Sequence, residues 1–229
     1  EKEGKKLAEK YFGRFAAKDP AKKSVVAEKQ KMPQVLIYKK DTNQTQIALG
    51  VRAFNYNYPR RRALELLETV LGGMFSSRLM EEVRFKRGLV YDVHTELSTD
   101  PDVGSLAAAA NLDSARLDEG IKVILNEFIK IRDGKVSPRE LRKAKDHYIG
   151  KNSIVLESSH AKGLFYGEQE LLEGRISEPE EIYEEIDRVS AEDIQAAARD
   201  IFAPEKLNLA VIGPDDNRQR FEKLLENAL

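Results

Sequence analysis

Cysteine does not occur among the 229 residues. Its absence excludes disulfides, thiolate nucleophiles and cysteine-based zinc sites, and it fits a reducing compartment, so a cytoplasmic setting is expected. Histidine occurs three times, a small set for a metal centre. No apolar run approaches the ~20 residues that cross a bilayer, so no membrane partner is expected. Lys and Arg number 38 against 39 Asp and Glu, leaving a formal charge of −1. That balance gives no electrostatic case for nucleic acid or another polyanion. H-E-x-x-H and H-x-x-E-H are both missing, so no zincin-type site can be built from this chain alone. G-x-S-x-G and G-x-x-x-x-G-K-S/T are missing as well, which removes the serine-hydrolase elbow and the phosphate loop.

What is present is a chain that is 41% hydrophobic and 34% charged, enough for one sizeable domain or two small ones. It opens on Glu1 and is read as a piece of a longer protein, so a missing leader says nothing of the parent. Residues 3–15 carry Leu7, Ala8, Tyr11, Phe12 and Phe15 at helical spacing. "AAKDPAKK" (16–23) is polar, holds Pro20 and reads as a linker. Residues 1–23 are therefore expected to be the last helix of a preceding domain plus a linker, and 24–229 the main domain.

Within 24–229, "SVVAEKQ" (24–30) is a short extended candidate, and "QVLIYKK" (34–40) and "TQIALGVRAF" (45–54) read as strands. "DTNQ" between the latter two is turn chemistry, and the pair is expected to lie side by side, antiparallel. Leu64, Leu67, Val70 and Leu71 form a helical stripe that Gly72–Gly73 interrupts. Ser76 or Ser77 caps a second helix, whose buried face is Leu79, Met80 and Val83. Gly88 suits the left-handed position that ends it. "LVYDVHTELS" (89–98) alternates, with Tyr91, Val93, Thr95 and Leu97 on one face and Asp92, His94 and Glu96 on the other. "SLAAAANL" (105–112) is the returning strand, and Asp113 or Ser114 caps the helix after it. Ser137, Pro138 and Glu140 form a capping box opening a long helical region to about Leu172, broken near Ser158–Ser159 or Gly163. "SEPEEIYEEI" (177–186) and "SAEDIQAAARDIF" (190–202) read as two capped helices, "KLNLAVIGP" (206–214) as the last strand, and Phe221, Leu224 and Leu225 as a terminal helix. The sum is an α+β fold, one mostly antiparallel sheet with helices packed on one face.

Few motifs carry chemistry. Glu157-x-x-His160 puts a carboxylate and an imidazole on one helix face, as in di-iron bundles, but that chemistry needs a second such pair, and none is found. "LGGMF" lacks the Lys and Ser/Thr of a phosphate cradle, and its simpler job is a turn between helices. Arg84 and Tyr91 flank the break at Gly88. Two readings stand. In one they are a solvated helix-end cation and a half-buried strand aromatic. In the other the glycine brings both tips to one spot, where a guanidinium can fork onto a peptide carbonyl and a phenol can donate to a developing oxyanion.

"LLETVLGGMFSSRLMEEVRFKRGLVYDV" (66–93) closely resembles the second domain of the insulinase/pitrilysin family of zinc peptidases, which includes mitochondrial processing peptidase and many bacterial relatives. "TQIALGVRAF" (45–54), "LFYGEQELLEGR" (164–175) and "VSAEDIQAAARDIFAPEKLNLAVIGP" (189–214) look like the same domain in the same order. The resemblance implies a duplicated α/β domain whose first copy, absent here, carries H-x-x-E-H and a downstream Glu that hold Zn²⁺. It implies that Arg84 binds substrate backbone and Tyr91 steadies the tetrahedral intermediate, beside a zinc-activated water supplied elsewhere. It also implies a closed chamber in which a peptide adds a strand to a sheet edge. The expected partners are a zinc-binding N-terminal domain or partner subunit, in a homo- or heterodimer, and a peptide substrate. The alternatives are a non-catalytic scaffold or partner subunit of the same fold, or a free-standing binding module. With no zinc signature in the chain, it is expected alone to hydrolyse no peptide and to lose zinc on dialysis; stoichiometric zinc in elemental analysis of the dialysed protein would contradict this.

Overall fold

The computed structural model describes residues 2–15, 24, 26–226 and 228. The linker expected at 16–23 lies outside the described residues, as does Val25. Helix α1 (Lys2–Phe12) is followed by strands β1 (Gln34–Lys39) and β2 (Gln44–Ala53) and helix α2 (Arg61–Glu68). Strands β3 (Val90–Thr99) and β4 (Gly104–Asp113) form a hairpin. Five helices follow: α3 (Leu117–Asp133), α4 (Pro138–Val155), α5 (Ser159–Leu172), α6 (Pro179–Arg188) and α7 (Ala191–Ile201). Strand β5 (Leu207–Gly213) and α8 (Arg218–Glu226) complete the order. No helix among the described residues is long and apolar enough to cross a membrane.

The five strands form one mixed sheet in the order β1-β5-β2-β4-β3, antiparallel except for β1 with β5. The expected side-by-side pairing of β1 and β2 is therefore wrong. β5 buries Leu207, Leu209 and Val211 on one face and hydrogen-bonds a neighbour on each side. A connection of residues 40–43 can cross the ~10 Å width of one intervening strand, so turn chemistry alone could not fix the neighbour. The segment 24–30 forms no strand where it is described. It is polar and exposed, and Gln30 ties it down by donating to the Leu207 carbonyl at 3.0 Å.

One face of the sheet is buried: Ile47, Leu49 and Val51 of β2, Leu106, Ala108 and Leu112 of β4, and the three β5 residues. α2, α3 and α7 cover it. The Phe128 and Phe202 rings stack at 4.6 Å between α3 and the end of α7. α4 and α6 pack on α2, where Glu65 accepts from Arg61 and Arg62 at 3.0 Å each and from the Tyr148 hydroxyl at 2.9 Å. The opposite face is open; its centre bears small or polar side chains, among them Gln46, Ala48, Ala107, Ala109 and Asn111, and Leu36, Tyr38 and Ile212 stand exposed on its β1–β5 side.

Capping follows the sequence closely. The Ser137 hydroxyl accepts from the Glu140 amide at 3.2 Å while the Glu140 carboxylate accepts from the Ser137 amide at 2.9 Å. Ser190 and Asp193 make the same reciprocal pair at 3.1 and 2.9 Å. Asp113, rather than Ser114, accepts from the Ala115 amide. The long helical region breaks at Ser158, which caps α5. Ser177 does not cap α6: that helix starts at Pro179 with no side-chain cap, because Ser177 is buried and its amide and carbonyl are both bound by Gln169 of α5. Ser137→Ala is expected to cost about 1 kcal/mol and Phe128→Ala about 3–5 kcal/mol. Urea unfolding followed by circular dichroism checks both; equal losses would contradict this ranking of cap against core.

Candidate functional site

The stretch after α2 does not wind as an ordinary helix. Thr69–Gly73 and Met80–Phe85 are π-helical, a wider winding that recurs at functional sites. In the second, the Lys86 amide donates to the Glu81 carbonyl, five residues back. Ser77, not Ser76, caps this piece through the Met80 amide at 3.4 Å. Gly88 then takes φ +58°, open to glycine without strain. Its amide returns to the Arg84 carbonyl at 2.9 Å, and the Leu89 amide reaches back to Val83 at 3.0 Å.

Strand β3 opens on a bulge. Val90 pairs with Leu112 and Val93 with Ala110, so β3 holds one residue too many for its partner. The expected alternation fails here. Val90 and Val93 are both buried, and the extra residue turns Tyr91 out, away from the face of Val93 and Thr95, to 82% exposure. The half-buried reading of Tyr91 does not hold. Its ring lies 5.0 Å from the Arg84 guanidinium, so turn and bulge together put the two side chains next to each other.

Two further rings complete this group, and neither was singled out from the sequence. Phe75 and Phe85 meet edge to face at 5.3 Å, and the Arg84 guanidinium lies 5.8 and 5.5 Å from their centroids. Both rings are open to solvent, at 68% and 48% exposure. No carboxylate among the described residues pairs with Arg84. Phe85 could have been noticed, since it falls off the buried stripe of Leu79, Met80 and Val83. Phe75 gave no such signal.

A polar brace holds the turn beneath these rings. The Thr95 hydroxyl of β3 lies 3.0 Å from both the carbonyl and the carboxylate of Glu68, at the end of α2. The approach is close enough that a Cβ at Gly72 would fall 2.7 Å from Thr95, and one at Gly73 would fall 2.5 Å from the Glu68 carboxylate.

The other candidates do not converge on the site. Glu157 lies in the break between α4 and α5, so it shares no helix face with His160, and both are exposed. His147 lies against the Gly73 backbone, and burial together with the Lys151 charge holds its imidazole below the ordinary value. His94 sits 3.0 Å from Asp92 and 3.6 Å from Glu96 on the solvent side of β3. Among the described residues no group of three or more His, Cys, Asp or Glu could hold a metal ion.

A family model described as "Peptidase M16 inactive domain" matches residues 1–148. The chain is 32% identical over 213 residues to a protein of Bacillus subtilis named "Uncharacterized zinc protease YmxG", covering 93% of this chain and 51% of that one. A Mycobacterium leprae protein, also named an uncharacterized zinc protease, is 31% identical over 84% of this chain and 43% of its own length. The chain thus spans about half the length of these curated relatives. Among solved structures, a protease from Helicobacter pylori superposes with a TM-score of 0.78 at 19% identity, covering 93% of this chain and 52% of that one. A peptidase M16 inactive domain from Pseudomonas fluorescens gives 0.74 at 23% identity, over 86% and 47%. These two establish the fold.

Within the brace, burial raises the Glu68 carboxyl above the ordinary Glu value, against the opposing pull of the Thr95 hydroxyl and the Lys151 charge. A carboxyl that binds its proton more tightly when folded contributes less to stability as pH rises from about 4.3, its unfolded value, through the folded one. Glu68→Gln keeps an acceptor for Thr95 and removes the charge. It is expected to raise the melting temperature at pH 7, with the gain shrinking as pH falls to about 4. Scanning calorimetry across that range checks the sign, and a gain that grows on acidification would contradict it.

Proposed function

The chain belongs to the M16 peptidase family, as its C-terminal inactive domain, and from that membership we propose that it is the substrate-holding half of a zinc endopeptidase. In this reading Arg84 and Tyr91 serve an active site whose metal ligands lie outside this chain. The described residues offer zinc no donor set. The metal in the relatives' names would be held by an N-terminal half or by a partner subunit, in a homo- or heterodimer. Helix α1 supports a preceding domain: none of its residues is buried, and Leu7, Tyr11 and Phe12 face outward as a surface such a domain would cover.

The observation that carries the reading is the juxtaposition of Arg84 and Tyr91 at 5.0 Å beside a free sheet edge. β3 is the last strand of the sheet, so its outer backbone groups can receive an extended peptide as an added strand. Arg84 is positioned by rings rather than by a carboxylate, which leaves its fork of N–H donors for a peptide carbonyl. Tyr91, exposed beside it, can donate its hydroxyl hydrogen to an oxygen that gains charge during hydrolysis. Main-chain recognition of this kind suits short or unfolded peptides.

The two side chains should separate kinetically. In the assembled enzyme Tyr91→Phe is expected to lower kcat by about 10²–10³ with little change in KM, because the phenol acts mainly in the transition state. Arg84→Ala should raise KM as well. Steady-state kinetics on an unstructured peptide tests this, with Tyr38→Phe on β1 as the control. A loss in Tyr91→Phe no larger than in Tyr38→Phe would falsify the role.

A further inference from the structure

We infer that Glu140, Lys143 and His147, on one face of α4, clasp residues 73–78 from behind the candidate site, and that His147 is the positioning residue through which pH acts on Arg84. The inference rests on the reading of Arg84 as a substrate ligand and adds a regulation of that site. The three residues stand at i, i+3 and i+7, a spacing that lines one side of a helix. Their partners run the other way along the turn. Glu140 takes the Arg78 guanidinium through both carboxylate oxygens, at 2.9 and 3.3 Å. The Lys143 ammonium donates to the Ser76 carbonyl at 3.5 Å. His147 hydrogen-bonds the Gly73 backbone. Helix and turn are thus held in register at three successive points.

What the clasp holds is the support of Arg84. Gly73 leads into Met74, which is extended and buried, and Met74 into Phe75, whose ring lies 5.8 Å from the Arg84 guanidinium. The Ser77 amide closes this turn on the Met74 carbonyl at 3.0 Å. With no carboxylate beside it among the described residues, Arg84 takes its direction from the rings around it, so its aim depends on where Phe75 stands. Thr95 and Glu68 brace the turn from β3 and α2, and α4 supplies the third support.

Of the three, only the imidazole is of a type that changes charge near neutral pH. Burial and the Lys151 ammonium, one turn further on, hold it below the ordinary value, against the pull of the Gly73 hydrogen bond. The elements packed against α4 do not cancel Lys151. The turn Thr69–Gly73 carries no ionisable group. On α2, Glu65 is taken by Arg61, Arg62 and the Tyr148 hydroxyl, and Glu68 faces Thr95 while also feeling the Lys151 charge. On α6, Tyr183 meets Ser153, the Asp187 carbonyl takes Lys145, and the Asp187 carboxylate lies 3.9 Å from Arg142. A proton on His147 therefore sets a second cation beside Lys151 in a half-buried place. The support from His147 is complete above about 6.5, its unfolded value, and is lost as pH falls through the folded one. Acid thus frees the turn, and Arg84 with it.

Amide hydrogen exchange of residues 74–85, read by mass spectrometry on the whole chain and corrected for the intrinsic rate, tests the clasp without substrate. At about pH 8, His147→Ala should speed exchange there about tenfold. His147→Asn keeps an N–H donor without the titration and should restore most of the protection. Between about pH 8 and about pH 5.5 the wild type should lose about tenfold in protection, while His147→Asn stays level. Lys151→Met should raise the pH at which the His147 ring titrates, followed by NMR. In the assembled enzyme His147→Ala should raise KM more than it lowers kcat, and the wild-type KM should rise in acid where that of His147→Asn does not. Exchange left unchanged by His147→Ala overturns the proposal. So does a pH dependence common to the wild type and His147→Asn, or an Asn variant as labile as the Ala one. The exchange result does not depend on turnover, so a failed clasp shows as flat exchange with the Arg84→Ala kinetics as expected, and a failed reading of Arg84 as the reverse.

Discussion

One hydroxyl holds the edge of this domain to its helical layer. Thr95, buried near the middle of β3, reaches both oxygen types of Glu68 at the last turn of α2. Beside that contact a Cβ at position 72 would fall 2.7 Å from the Thr95 amide nitrogen, too close for any residue but glycine, and one at position 73 would displace the Glu68 carboxylate from the brace. Everything that gathers at the candidate site then branches from these two elements. α2 runs on through the braced turn to Phe75, and β3 carries Tyr91 four positions before Thr95. Arg84 lies on the segment between them, closed by Gly88. Local irregularity, in two π-helical windings, a left-handed glycine and a bulge, is concentrated within 69–93. Elsewhere the described residues hold a second left-handed glycine, Gly174, and 3-10 turns at Ser114–Arg116 and Pro204–Lys206, each standing alone, and such concentration at 69–93 is what a constrained site costs a fold.

The sheet divides the labour. Its buried face supplies stability through the aliphatic side chains of β2, β4 and β5 under α2, α3 and α7. Its open face is low at the centre, where Ala48, Ala107 and Ala109 project little, and rises at β1 and β5, where Leu36, Tyr38 and Ile212 stand exposed. On β3 the same face carries Asp92, His94 and Glu96, all exposed, and Arg84, Phe75, Phe85 and Tyr91 gather beside the first residues of that strand.

Much of this was legible in the chain. Caps at Ser137 and Ser190 were readable because their partners are three residues away, and the left-handed Gly88 because a helix had to end there. The resemblance carried by residues 66–93 pointed to the family, and it singled out Arg84 and Tyr91. What escaped depended on partners far along the chain. β1 and β2 are separated by β5, which arrives from the other end, and no turn between them could announce that. Ser177 looked like a cap but is held by Gln169 of α5. Tyr91 looked half-buried because alternation was assumed to continue through Val90, where the pairing with β4 inserts an extra residue. π-winding leaves no mark in composition, so Phe75 and Phe85 could not be placed beside Arg84 from spacing alone.

The position of β5 has a bearing on how the molecule is made. Its neighbours β1 and β2 belong to the first quarter of the chain, and the bond from Gln30 to Leu207 closes a loop of 177 positions. During synthesis the early strands emerge with a gap where β5 belongs, and β1 has no neighbour among the described strands until residues 207–213 have left the ribosome. A nascent chain stalled before Leu207 would leave the facing edges of β1 and β2 unpaired, so the arrival of β5 is the step that closes the gap in a sticky intermediate.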